Sequence, residues 1–163
     1  MARYLPATGL AIGALFGVAG SFVTGTTQGI LWEISSLGLI IGAILLAGRS
    51  GRNGEDEVAA GFVLLAIAEA VMSGGTAAGL SGSQAAFAAG TALYVPALLF
   101  IGGPKSYPVW VRLAGILAAI PFAITAFRIY AGGEVLPGSE LPSAGYGLLT
   151  IAMIGWILRS LKR

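Results

Sequence analysis

Apolar residues fill six stretches of the chain, and short clusters of glycine, proline, serine and charge separate them. The stretches run from Pro6 to Thr24, Gln28 to Ala47, Glu57 to Thr76, Ser83 to Gly102, Pro108 to Ala131 and Ser143 to Leu161. Each is close to the roughly 20 mostly apolar residues that a helix needs to cross a hydrocarbon core about 30 Å thick. Gly25, Gly51, Gly54, Gly82, Gly103, Pro104, Pro137 and Pro142 mark most of the joints, as residues that turn or break a helix do. The pattern predicts an all-α polytopic membrane protein with six transmembrane helices. The spans use most of the chain, so residues 1–163 read as one transmembrane domain.

Composition strengthens that reading. Of 163 residues, 56% are hydrophobic and 10% charged, where a soluble domain averages about 25% charged. Seven acids and nine bases cannot cover a water-soluble globule of this size. Disorder is excluded too, because it needs low hydrophobicity and high charge. The chain has no Cys and no His. Disulfides, thiolate nucleophiles, Cys/His zinc sites and a Ser-His-Asp relay are therefore impossible within it. Ser35, Ser36 and Ser73 lie within spans, but no Lys does, so an intramembrane nucleophile has no base to activate it. The chain reads as a non-enzyme without cofactor or metal.

Lysine and arginine set the orientation. With the N-terminus inside, the cytoplasmic pieces hold Arg3, Arg49, Arg52, Lys105, Arg112, Arg159, Lys162 and Arg163, and the outer half holds only Arg128. The expected location is a prokaryotic inner membrane with both termini cytoplasmic. The expected partner is the lipid bilayer, with a homodimer or partner membrane subunits as further options. The net charge of +2 does not point to nucleic acid, because the bases form no single patch. Trp32, Tyr130 and Tyr146 fall near outer ends, and Tyr4, Tyr107, Trp110 and Trp156 near inner ends, where interfacial aromatic belts are expected. The first stretch has some features of a cleaved leader, but removing it would leave five spans and break an internal repeat.

That repeat relates the two halves of the chain, about 6–76 and 83–161. Ala60 to Ala68 aligns with Ala144 to Ala152, six of nine positions being identical. Ala14, Leu15 and Phe16 align with Ala92, Leu93 and Tyr94, and Trp32 aligns with Trp110. Three spans per half give the halves opposite orientations, a 3+3 inverted repeat of the kind found in many transporters. Gly9, Gly13 and Gly17, then Gly38 and Gly42, then Gly115, Ala119 and Ala123 recur every four residues. Small residues at that spacing let transmembrane helices approach closely.

The candidate chemistry lies in charges within spans, which cost roughly 2.5–3.5 kcal/mol at a helix centre and are usually paired or functional. Glu33 and Arg128 lie at similar depth toward the outer side and are expected within reach of one another. Glu69 lies deeper, with Ser73 and Thr76 following on the same helical face, as a polar stripe leading outward. Desolvation at that depth favours a neutral carboxyl, and a group that changes charge there suits proton or cation handling. Pro96 and Pro121 sit mid-span and free the carbonyls of Ala92 and Leu117, which could kink the helices or coordinate a cation. The leading expectation is a small transporter- or channel-like protein handling protons, a cation or a small solute. The rival is a non-catalytic structural or accessory subunit of a larger membrane complex.

Overall fold

The computed structural model describes residues 4–76 and 79–162. Among them the chain is entirely helical: α1 (Leu5–Gly20), α2 (Gly25–Arg52), α3 (Asp56–Thr76), the single turn α4 (Gly79–Gly82), α5 (Gln84–Gly102), α6 (Val109–Tyr130) and α7 (Glu140–Lys162). Five of these, α2, α3, α5, α6 and α7, are long and apolar enough to cross a membrane. The sixth apolar helix, α1, has 16 residues, about 24 Å at 1.5 Å per residue. It stops at Gly20 rather than continuing to Thr24. Gly20 lies against the Trp32 indole, where an added Cβ would stand 2.5 Å from the ring. The chain then runs extended at Thr24 and turns at Gly25, whose φ is +69°.

α2 is longer than its apolar run, 28 residues from Gly25 to Arg52. Its last turn carries Arg49 and Arg52, which suit the negative end of the helix dipole. The stop is a Schellman turn. Gly54 takes φ +72°, its N–H donates to Gly51, and the N–H of Glu55 donates to Ser50 at 2.9 Å. α3 starts directly afterwards with Asp56 and Glu57 in its first turn.

Each long helix packs on the next along the chain, and α7 closes the ring on α1 through a thinner seam. α1 and α2 meet along their glycines. A Cβ on Gly9 would stand 2.8 Å from the Gly42 nitrogen, and one on Gly38 would stand 2.7 Å from the Gly13 nitrogen. Ser35 adds a hydrogen bond across this contact, its hydroxyl donating to the Gly13 carbonyl at 2.7 Å. Side chains fill the middle of the ring. Toward the arginine-rich end, Phe62 makes edge contacts with Trp156 (5.1 Å between centroids) and Tyr107 (6.3 Å). Nearer mid-depth, Phe122 packs on Tyr94 (4.6 Å) and Tyr146 (5.0 Å).

Trp156 and Tyr107 are thus core residues, 1% and 8% exposed, rather than members of an interfacial belt. The Phe62 contacts hold both inside, and the Arg159 guanidinium lies 5.1 Å over the Tyr107 ring. Tyr4, Trp110 and Tyr130 do face outward. So do Leu15, Leu37, Ile41, Leu117, Ile120 and Phe127, giving the bundle the apolar exterior that suits a lipid bilayer. Arg49, Arg112 and Arg159 gather at one end, opposite Arg128. Arg49 donates to the Ser160 carbonyl, Arg159 pairs with Glu55 at 3.8 Å, and Arg112 donates to the carbonyls of Gly102 and Gly103 at 2.7 and 2.6 Å.

Candidate functional site

α2 and α3 run antiparallel, and each carries one glutamate and one serine at helical spacing. Counted from the end opposite the arginine cluster, the order on α2 is Glu33 then Ser36; on α3 it is Ser73 then Glu69. Spacings of three and four residues keep each pair on one helical face. Opposing the two faces makes two rungs. In the rung farther from the arginines the Ser73 hydroxyl donates to Glu33. One turn deeper, the Ser36 hydroxyl donates to Glu69 Oε2 at 2.8 Å.

Glu69 is the buried member, 3% exposed. Its other oxygen, Oε1, accepts from the hydroxyl of Tyr94 on α5, a residue with no exposure at all. Tyr94 lies near the centre of α5, so the carboxyl sits at mid-depth between three helices. The Tyr94 ring meets the Tyr146 ring edge-on at 6.2 Å, and the Tyr146 hydroxyl reaches the Met72 sulfur at 3.7 Å. Among the described residues the one ion pair is Arg159 with Glu55, so neither Glu33 nor Glu69 is neutralised by a salt bridge. Both oxygens of Glu69 are instead satisfied by hydroxyls, the alternative way to keep a polar group in a dry interior.

The expected Glu33–Arg128 pair does not form. Arg128 is exposed near the end of α6, and α6 makes no contact with α2 in the ring. Ser73 belongs to Glu33 and not to Glu69. Thr76 turns back on its own helix, donating to the Met72 carbonyl at 3.2 Å. The outward stripe on α3 is therefore completed by α2. Pro121 is buried and Pro96 half-buried, and α6 and α5 run through them unbroken.

Sequence reasoning missed Tyr94 and Tyr146 as site residues. Tyr94 carried a signal: a tyrosine in mid-span, far from either interface, needs a buried partner for its hydroxyl.

The two halves of the bundle interior differ. Above mid-depth lie the ladder, Ser35, Thr91 and Thr125. Thr91 bonds back to Phe87 and Ala88, and the Thr125 hydroxyl has no partner. Toward the arginine-rich end, the buried side chains among the described residues are apolar until Ser50 and Ser160 at the helix ends. The chain matches no protein-family model, and neither a curated protein nor a solved structure is significantly similar to it.

Proposed function

We propose that this protein is a small proton-handling membrane protein, transporter- or channel-like, that takes up protons on the carboxyls of Glu33 and Glu69. The observation that carries the reading is Glu69: a carboxyl at mid-depth, buried, with a hydroxyl on each oxygen and a second carboxyl one turn outward. Protonating such a group requires only hydroxyl rotation, since each oxygen of Glu69 faces a hydroxyl that can turn from donor to acceptor. Glu33 and Ser73, the rung farther from the arginines, are half-buried, whereas buried apolar side chains fill the half toward the arginines. That asymmetry supports access to Glu69 from one side at a time, as alternating access requires.

In this reading α1 is the sixth span, thinned by its glycine contacts with α2. Both termini face the cytoplasm of a prokaryotic cell because the arginine-rich end does. The two halves form an inverted repeat. One pair of contacts supports it. Aligning Ala60 with Ala144 equates Phe62 with Tyr146 and Met72 with Trp156. Phe62 packs on Trp156, and the equivalent pair, Tyr146 and Met72, is also in contact.

The test is proton flux into liposomes with a trapped pH-sensitive dye. Wild-type flux that disappears in Glu69→Gln supports the reading, since Gln keeps the shape and loses the titrating group. Flux unchanged in that variant removes Glu69 from the mechanism. A second reading, an accessory subunit of a larger complex, is favoured by the full satisfaction of Glu69 within the chain, as a structural lock would be. A wild type without flux that comigrates with a stoichiometric partner from native membrane supports this second reading.

A further inference from the structure

Away from the ladder, the connection between α6 and α7 builds a recess of about 460 Å³, lined by Phe127, Arg128, Ala131, Gly133, Glu134 and Val135. The loop is held in shape from two sides. Gly132 takes φ +89°, a left-handed turn that glycine adopts without strain. This turn lets the Gly133 N–H close on the Arg128 carbonyl at 2.9 Å. Farther along, the Gln84 side-chain amide clamps the Val135 backbone in both directions, donating to its carbonyl at 3.1 Å and accepting from its N–H at 3.2 Å. The recess therefore does not depend on a ligand for its form.

Arg128 and Glu134 both line it, yet they form no ion pair with each other; the one ion pair among the described residues is at the opposite end of the bundle. Two opposite charges that line one recess without pairing suit a ligand that carries both signs. The neighbouring surface indicates which. Phe127 is 72% and Tyr130 65% exposed, and Ile124 one turn deeper also faces out. An arginine beside outward aromatics at a helix end lies at the boundary of lipid and water.

We propose that this recess binds the phosphoethanolamine headgroup of a membrane lipid. The Arg128 guanidinium holds the phosphate through charge-assisted hydrogen bonds. The Glu134 carboxylate accepts from the primary ammonium, and the acyl chains run down past Phe127 and Ile124. A choline headgroup offers no N–H to Glu134, and a glycerol headgroup offers no cation, so both bind more weakly. The assignment does not rest on the proton reading.

The test is retention of lipid by the purified protein in mild detergent, read by native mass spectrometry against phosphatidylethanolamine, phosphatidylcholine and phosphatidylglycerol of matched chains. The expected preference for phosphatidylethanolamine is about tenfold, the ratio that corresponds to one well-made polar contact. Glu134→Gln should erase the preference over phosphatidylcholine while keeping lipid bound, and Arg128→Gln should weaken all phospholipids together. Equal retention of the three lipids by the wild type overturns the proposal. So does a preference that survives both substitutions. Free phosphoethanolamine should not displace the lipid; displacement at matched concentration would assign the recess to a soluble ligand and overturn the lipid assignment.

Discussion

Tyr94→Phe is the sharpest perturbation of the buried ladder, because it removes one hydroxyl and almost nothing else. The ring keeps its packing on Phe122 at 4.6 Å and on Tyr146 at 6.2 Å, so no large cavity opens. What is lost is the donor to Glu69 Oε1, while Ser36 still holds Oε2. An unsatisfied buried acceptor costs roughly 1–3 kcal/mol in water-soluble proteins. Side-chain hydrogen bonds inside membranes average nearer 0.6 kcal/mol, with a maximum of about 1.7. Glu69 is 3% exposed and Tyr94 is fully buried, which places this bond toward the upper part of that range, about 1–1.5 kcal/mol. The matching change Glu69→Leu strands two hydroxyls, Tyr94 and Ser36, and should cost more. Once Glu69 is gone, Tyr94→Phe removes a hydroxyl that already lacks its partner and should be close to neutral. The double-mutant cycle should therefore give a coupling of about 1 kcal/mol, well above the ~0.3–0.5 kcal/mol scatter of independent sites. Reversible unfolding in mixed micelles measures it, followed by tryptophan fluorescence, with Trp156 in the core against Phe62 as a reporter. Additive costs would refute the bond between Tyr94 and Glu69 as a determinant of the bundle.

Two further outcomes test the rest of the frame by the same unfolding assay. Gly9→Ala should destabilise by about 1–3 kcal/mol, because its Cβ would stand 2.8 Å from the Gly42 backbone nitrogen. Gly29→Ala, with nothing within 4 Å, should be neutral or slightly stabilising; similar costs at both sites would refute the glycine contact. Arg159→Ala removes a partly exposed ion pair with Glu55 at 3.8 Å and a guanidinium 5.1 Å over Tyr107. It should cost about 1 kcal/mol in total, with an electrostatic part that shrinks as salt rises, and a cost above 3 kcal/mol would show that the arginine holds this end of the bundle by some other means.

The helices were legible because lipid imposes one requirement on every exposed side chain, and a run of apolar residues satisfies it whatever the tertiary contacts. The ends were less legible, because they depend on neighbours. Gly20 ends α1 against Trp32, a residue on the next helix, and Gly54 ends α2 by a turn within which Glu55 must reach Ser50. The depth of Glu69 was readable from its position in the span, and burial followed. Its partners were not, since they come from α2 and α5, and ring order is not written in hydropathy. The same gap explains Arg128. Equal depth suggested a pair with Glu33, but two helices at the same depth on different sides of a ring never meet. Trp156 was misread for a related reason: a tryptophan near a helix end satisfies the interface rule equally well whether it points to lipid or inward, and only the presence of Phe62 and Val111 beside it decides.

On the proposed repeat, the ladder and the apolar half of the core are the same positions seen twice. Equating Trp32 with Trp110 and Ala60 with Ala144 sets Glu33 against Val111, Ser36 against Ala114, Glu69 against Met153 and Ser73 against Ile157. Val111, Ala114 and Met153 are buried apolar residues, and a two-fold axis in the membrane plane would exchange their positions with those of the ladder. One copy is therefore polar and the other dry. The tyrosines are distributed in the opposite sense: Tyr94 stands against Phe16 and Tyr146 against Phe62, so the second half supplies the hydroxyl and aromatic edge that face the carboxyl of the first. Four polar positions on α2 and α3 thus have apolar counterparts on this alignment, while two aromatic counterparts gain hydroxyls. On the proton-handling reading this asymmetry keeps a continuous polar path from joining the two ends of the bundle, so release toward the arginine-rich end would require a rearrangement of the apolar half.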